Sequence, residues 1–327
     1  MNLFYLEPDP DRWFKYDRYP RKLIRRILRG KERPGGVAMV AINLMKGLDL
    51  LGVPYRLNDF KYIRNHPEEI ACIIGKPHVL FNHEWRNPTI FGAGVYSHPA
   101  DCPELLSKYP NVKRILVPGE WIRDMFEPYY HEKVVAWPVG IDTDDWSGSI
   151  KGVPEVDFLI YDKVRWDHEK YQKTLIDPIC RTLEENAQSY EFIKYGSYKP
   201  NQLKNMLRGA KAVIFLCEHE TQGLAYQQIL ATGTPILAWE RGGYWQDPSY
   251  YPGIKYQPVS AVPYWDDRCG MKFTGTADFP KQLKTFLSQI SLFNPRSYIT
   301  ENLTLEKCAR SYLDIYHLVA TETNDKP

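Results

Sequence analysis

Short continuous apolar runs alternate with stretches of helical spacing along most of the chain. Asn2–Leu6 is the first such run. Pro8 and Pro10 stop it, and it predicts a buried strand. A long polar and basic stretch follows as far as Pro34. Val40, Leu44, Leu48 and Leu51 then recur at helical spacing, so a helix is expected over 37–51, opened by Gly35-Gly36 and closed by Gly52. Val53–Leu57, His78–Phe81, Arg114–Val117 and Val134–Trp137 read as further strands, with a helix over Glu120–Phe126 between the last two. Alternation of this kind is the mark of a parallel sheet with crossover helices.

Pro138–Pro154 breaks the pattern with Gly140, Gly148 and Gly152, three aspartates and two nearby serines, and reads as a linker. Alternation then restarts. Strands are expected at Asp157–Tyr161, Glu191–Tyr195, Ala212–Cys217 and Thr234–Trp239, and helices at His168–Ala187, Pro200–Arg208 and Gln222–Ala231. Two more helices close the chain, over Phe279–Leu292 and Leu303–Ala320. The fold class is therefore α/β, with two Rossmann-like domains facing a cleft. The first covers 1–145 and the second 146–302, while 303–327 forms a terminal helix. Open sheets of this type bind ligands at the carboxyl ends of their strands, which favours a nucleotide-type ligand.

Charge refines this picture locally. The 327 residues carry 42 basic and 40 acidic side chains, a net +2, which argues against nucleic acid as a partner. Between Arg12 and Arg33, however, ten basic residues stand against Asp17 and Glu32, a local +8 that leaves −6 on the remainder. Leu23, Ile24, Ile27 and Leu28 interleave with Arg21, Lys22, Arg25, Arg26 and Arg29, the spacing of an amphipathic cationic helix. It suits an anionic membrane surface or acceptor, and equally a solvated loop or a partner helix.

The six cysteines lie at least 30 positions apart, so no CxxC or zinc-type spacing exists, and a reduced cytoplasmic protein is expected. No run approaches 18 apolar residues and no secretory signal opens the chain. Aromatic residues reach 14%, with 23 Tyr and 9 Trp, which suits a cleft holding sugars or nucleotides and also suits large cores.

The most informative stretch runs from Glu218 to Pro235. A strand ends at Cys217, a carboxylate follows in the turn, and Gly223 opens a helix. The free N–H groups of that helix start, at Gly223, Leu224 and Ala225, would form an anion site. Glu220 stands beside it, able to accept hydrogen bonds from sugar hydroxyls, and Gln228 lies further along the helix within reach of a ribose. An ordinary βαβ unit with a capped helix reads the same way.

After the strand 157–161 come Arg165 and, five residues later, Lys170, cations suited to neutralising a diphosphate leaving group, with Lys163 close by. A solvated charged turn is the plainer account of them. Pro34-Gly-Gly-Val-Ala38 follows the first strand, and the absence of Cβ at Gly35 and Gly36 would let backbone approach a phosphate.

These segments together resemble the retaining GT-B glycosyltransferases of the large "group 1" family. That family carries a Glu, seven residues, a second Glu, a Gly five further on, and then Thr-Pro. Glu220, Gln228, Gly233 and Thr234-Pro235 stand in this frame, with an amide in place of the second acid. Arg165 and Lys170 have the family's Arg–Lys spacing, and Gly35-Gly36-Val37 matches its glycine turn. Val117–Met125 and Trp137–Asp144 resemble its passage into the hinge, which makes Asp142 and Asp144 a hinge element and not a metal-binding pair. The likeness spans Gly35 to Tyr316.

The resemblance implies a glycosyltransferase that moves a sugar from a nucleotide-diphosphate-sugar donor to a glycan or lipid-linked acceptor. It would retain configuration and need no metal and no cofactor. Donor would bind the second domain and acceptor the first, and the terminal helix would cross back to the first. Glu220, Arg165, Lys170 and a histidine would be catalytic. His83, in Phe81-Asn-His83, is expected at a strand end near the donor sugar, and His98 competes for that role. Tyr198 is placed to stack on the nucleotide base, His219 flanks Glu220, and 12–33 would meet the membrane peripherally. A nucleotide-sugar epimerase and a non-catalytic nucleotide-sugar binder are the other readings.

Overall fold

The computed structural model describes residues 1–6 and 35–324, with three isolated positions between them (17, 20 and 24). The amphipathic helix expected within 12–33 lies outside the described residues. The chain divides into two compact units. One comprises Met1–Pro118, Arg123–Trp137 and Cys308–Pro327, and the other Gly119–Ile122 and Pro138–Lys307.

The first unit is built on six parallel strands: β1 (Asn2–Phe4), β2 (Arg56–Leu57), β3 (Ala71–Ile73), β4 (Thr89–Gly92), β5 (Val112–Val117) and β6 (Val134–Ala136). Their order is β2-β1-β3-β4-β5-β6. The helix Gly36–Leu50 crosses from β1 to β2, burying Ala38, Val40, Ala41, Leu44 and Leu48 along one stripe. From Cys308 onward the helix Leu305–Asn324 belongs to this unit. Its Cys308 carbonyl accepts a hydrogen bond from Trp137 Nε1 at 2.9 Å, and the rings of Trp137 and Tyr312, both fully buried, sit 5.0 Å apart.

One expectation is corrected here. His78–Phe81 is a helical turn, not a strand, and the strands of this region are β3 and β4. A run of four residues, three of them apolar, fits either period, and Pro77 ahead of it has φ −69° and ψ −13°, which starts a helical turn.

The second unit holds five parallel strands: β7 (Val156–Lys163), β8 (Tyr190–Lys194), β9 (Ala210–Cys217), β10 (Ile236–Trp239) and β11 (Gly270–Phe273). The order is β11-β10-β9-β7-β8. β7 and β9 are the long central pair and read as near-continuous apolar runs, because helices cover both of their faces. Phe158, Ile160, Ile214 and Leu216 pack with Ile179, Leu183 and Phe286 in one buried cluster. Phe215 points the other way, its ring 5.3 Å from Tyr161 and 5.6 Å from Tyr226. Each such side chain contributes about 1.5–3 kcal/mol by leaving water.

The expected helix 168–187 is present as His168–Tyr171 and Asp177–Glu185 joined by a π-turn over Gln172–Ile176. The strand β11 and the helix Pro295–Asn302 had no sequence expectation. Crossovers leave β7 and β9 toward opposite edges, so the carboxyl ends of these two neighbours form the switch point where open α/β sheets bind ligands.

Candidate active site

At the switch point the parallel register sets Lys163, the last residue of β7, beside Cys217, the last of β9. The chain leaves β7 as Val164-Arg165-Trp166 and leaves β9 as Glu218-His219-Glu220. Cations two apart on one exit face carboxylates two apart on the other, and they pair crosswise. Lys163 makes a short salt bridge to Glu220, and Arg165 Nε lies 3.6 Å from Glu218 Oε2.

Lys163 and Glu220 expose only 10% and 7% of their side chains. Burial works against the ammonium, but the Glu220 carboxylate outweighs it and raises the Lys163 pKa above the ordinary lysine value. The ammonium also sits 4.3 Å from the centroid of the Tyr195 ring, a cation–π contact. Main-chain bonds pin Glu220 itself. Its N–H donates to the Ser260 carbonyl, and its own carbonyl accepts from Trp121 Nε1, each at 2.9 Å.

His219 lies between the two pairs and is buried. Trp245 Nε1 donates to its Nε2 at 3.3 Å, and an Arg165 Nη2 is 3.1 Å from the same nitrogen. Both neighbours are donors only, so Nε2 carries the lone pair and the ring is neutral. Burial, and then the charges of Arg165, Arg241 and Lys163, push this imidazole down to about 2 from its ordinary 6.5.

An acid-stability effect follows. Between these two values only the unfolded chain takes up the proton, so stability falls as pH drops below 6.5. From His219 alone the expected loss is about 2 kcal/mol between pH 7 and pH 5. His219→Gln keeps an acceptor and removes the titration, so its urea midpoint should fall less on acidification than the parent's. Equal losses in the two proteins would show that His219 is not held neutral.

The helix Leu224–Ala231 starts from Gly223, whose φ of +86° is left-handed and whose absent Cβ would lie 2.1 Å from the Tyr226 ring. No other residue fits there. Leu224 and Ala225 form the first turn and are half-buried, as is Gln228. The Gln228 side chain makes no hydrogen bond among the described residues. Its neighbour Gln222 is fully engaged. It accepts from the Val139 N–H at 2.9 Å and donates to the Val139 carbonyl at 2.6 Å, with its Nε2 also 3.1 Å from Gln227 Oε1.

Other expected residues fall elsewhere. Lys170 is exposed on the helix His168–Tyr171, its Nζ 5.6 Å from the Tyr171 ring, and it pairs with neither carboxylate. Lys163, two residues before Arg165, is the cation bonded to Glu220. Tyr198 shares a 2.8 Å hydrogen bond with the Tyr161 hydroxyl, while Tyr195 under Lys163 is half exposed. Asp142 accepts from the Asp145 N–H at 2.9 Å within its turn. Among the described residues no cluster of three His, Cys, Asp or Glu is arranged to hold a metal ion.

In the first unit, Gly35 caps the helix Gly36–Leu50, and a Cβ at either Gly35 or Gly36 would meet nothing within 4 Å among the described residues. Packing among the described residues therefore does not require these two glycines. His83 follows the helical turn 78–81, stacks on Phe60 at 4.2 Å and has its pKa lowered, first by burial and then by Arg64 and His78. His98 is buried and its Nδ1 accepts from the Ala100 N–H at 3.0 Å.

Sequence spacing offers Lys163 only as a competitor of Arg165 and Lys170, and does not single out Glu218, Tyr195 or Gln222. The signal that places Lys163 and Glu218 is the parallel register of β7 and β9, which only the fold supplies.

No protein-family model matches the chain, and no curated protein matches it in sequence. Solved structures do match in shape. Sucrose-phosphate synthase from Thermosynechococcus elongatus superposes with a TM-score of 0.57 at 11% identity, covering 98% of this chain and 99% of that one. An alpha,alpha-trehalose 6-phosphate synthase from Burkholderia multivorans gives 0.55 at 12% identity, over 94% and 80%. TarM gives 0.51 at 13% identity over 78% of this chain, which spans only 57% of the TarM chain. The fold is thus the two-domain α/β architecture of the GT-B glycosyltransferases. No helix among the described residues is long and apolar enough to cross a membrane.

Proposed function

We propose that this chain is a glycosyltransferase that takes a sugar from a nucleoside diphosphate and transfers it to a hydroxyl acceptor. The observation that carries the reading is the crossed pair of cations and carboxylates at the β7–β9 switch point, beside the start of the helix Leu224–Ala231. In this reading Arg165 and the N–H groups of Leu224 and Ala225 take up the diphosphate, with Lys170 reaching it from the exposed helix. Glu220 accepts hydrogen bonds from the donor sugar's hydroxyls, Gln228 meets the ribose and Tyr198 the base. The glycosidic C–O bond to the diphosphate breaks, a bond to the acceptor oxygen forms on the same face, and the acceptor's proton passes to the departing phosphate.

Gly35, Gly36 and His83 are the first unit's candidates for donor binding in this reading. The acceptor is a glycan or a lipid-linked sugar, and the segment 12–33 would bring the protein to an anionic membrane. The sugar-phosphate synthases of the same fold support the transfer chemistry.

A thermal-shift series with UDP-, GDP-, ADP- and TDP-sugars tests the reading, since a ligand that binds only the folded state raises the melting temperature by mass action. One member should raise it by several degrees. Arg165 and the helix N–H groups do the neutralising that a metal does elsewhere, so transfer from that donor should survive EDTA. Loss with chelator and recovery with Mg²⁺ or Mn²⁺ would overturn the metal-free mechanism. A second reading has one observation in its favour: the amide at Gln228 offers a ribose no charge-assisted bond. Tight donor binding with no transfer to any acceptor would make the protein a nucleotide-sugar binder.

A further inference from the structure

The Arg165 guanidinium is held along one edge and open along the other. Its Nη2 donates to the His219 carbonyl at 2.9 Å and lies 3.1 Å from His219 Nε2. Its Cζ lies 4.8 Å from the centroid of the Trp166 ring, and its Nε faces Glu218 Oε2 at 3.6 Å. Among the described residues no protein group bonds Nη1. About a third of the side chain (34%) reaches solvent.

Glu218 is the opposite case, with 1% of its side chain exposed. Its Oε1 accepts the N–H groups of Arg165 and Trp166, at 2.7 and 2.9 Å. Its Oε2 is buried and has no hydrogen-bond partner. A carboxylate taken this far out of water is costly unless its charge is matched. Two main-chain amides satisfy one oxygen, and among the described residues Arg165 is the one charge that faces the other. The same acid therefore fixes both the backbone from which Arg165 projects and the inner edge of its guanidinium.

We propose that Glu218 is a positioning residue, which together with His219 holds Arg165 by Nε and Nη2 so that the Nη1 edge stands ready for an anion. The class of ligand is a diphosphate or another polyanion of that size, and this part rests on the proposed function. The positioning itself does not. A guanidinium already fixed along one edge loses less freedom when it binds, so fixation converts directly into affinity.

The experiment separates the two parts. In protein labelled with [¹⁵N]arginine, the Arg165 Nε–H signal is identified by its loss in Arg165→Lys. Glu218→Gln keeps an oxygen for the two amides, so the turn survives while the charge goes. In this variant the Arg165 Nε–H should exchange with water at least tenfold faster than in the parent. Affinity for inorganic pyrophosphate, a probe that needs no base or sugar, should fall at least fivefold. In an Arg165→Ala background the same substitution should leave pyrophosphate affinity unchanged.

Equal exchange in parent and variant would overturn the proposal. So would an equal loss of affinity with and without Arg165, or a parent that does not bind pyrophosphate. If Arg165 is ordered by Glu218 and binds pyrophosphate, yet no nucleoside diphosphate binds, the proposed function fails and the positioning stands.

Discussion

Glu220→Gln is expected to lower the unfolding free energy by about 3–5 kcal/mol, the range for removing one member of a buried ion pair. It should also cut sugar transfer below about a tenth of the parent rate, a loss of more than roughly 1.4 kcal/mol in transition-state stabilisation. The first effect comes from Lys163. Its ammonium is nearly inaccessible, and Glu220 is the carboxylate that offsets its burial. Without that charge, Lys163 must find water, lose its proton or unfold its surroundings. The second effect comes from the proposed contact with donor hydroxyls.

The two consequences separate in the double variant Lys163→Met/Glu220→Gln. Removing both charges should restore much of the stability, because the penalty belongs to the unpaired partner. Transfer should stay low. Urea unfolding of the parent, the two single variants and the double variant closes the cycle. A single-variant cost under about 1 kcal/mol would mean that the pair is solvated in solution.

The second large effect is on ligand affinity. Arg165→Ala should weaken UDP binding, measured by calorimetry, roughly ten- to hundredfold, the worth of one or two charge-assisted hydrogen bonds. UDP serves as the probe because it carries the diphosphate that Arg165 is proposed to bind. Lys170→Ala should cost only about fivefold, because an exposed ammonium acts through screened attraction. Unchanged affinity in Arg165→Ala would remove this residue from the diphosphate site. A Lys170→Ala loss as large as that of Arg165→Ala would mean that the lysine swings onto the ligand.

How legible this was in the sequence depended on the length of each element. β7 and β9 are eight residues each, apolar and β-rich, and their positions read directly from the chain. β3, β4 and β11 are three or four residues long, too short to show a period, so the apolar turn at 78–81 took the place of a strand and β11 went unread. The site divides in the same way. Glu220 and Arg165 stand out because each follows a long strand by two or three residues. Lys163 does not, because it is the last residue of a strand and its partner lies 57 positions away. Spacing along one segment selects Lys170, five residues after Arg165. Register between two segments selects Lys163, and register is a property of the folded sheet.

The way the first unit is completed bears on how the protein is made. Trp137 Nε1 is bonded to a carbonyl 171 residues further along the chain, and the Tyr312 ring packs on the same indole. The second unit, apart from Gly119–Ile122, is drawn from the uninterrupted stretch Pro138–Lys307. A ribosome therefore releases everything the second unit needs before it releases the helix that covers Trp137. The unit whose strands are synthesised first is the last to be finished. At typical elongation rates its apolar flank waits uncovered for roughly 10–30 s, a window in which chaperones and aggregation compete for it.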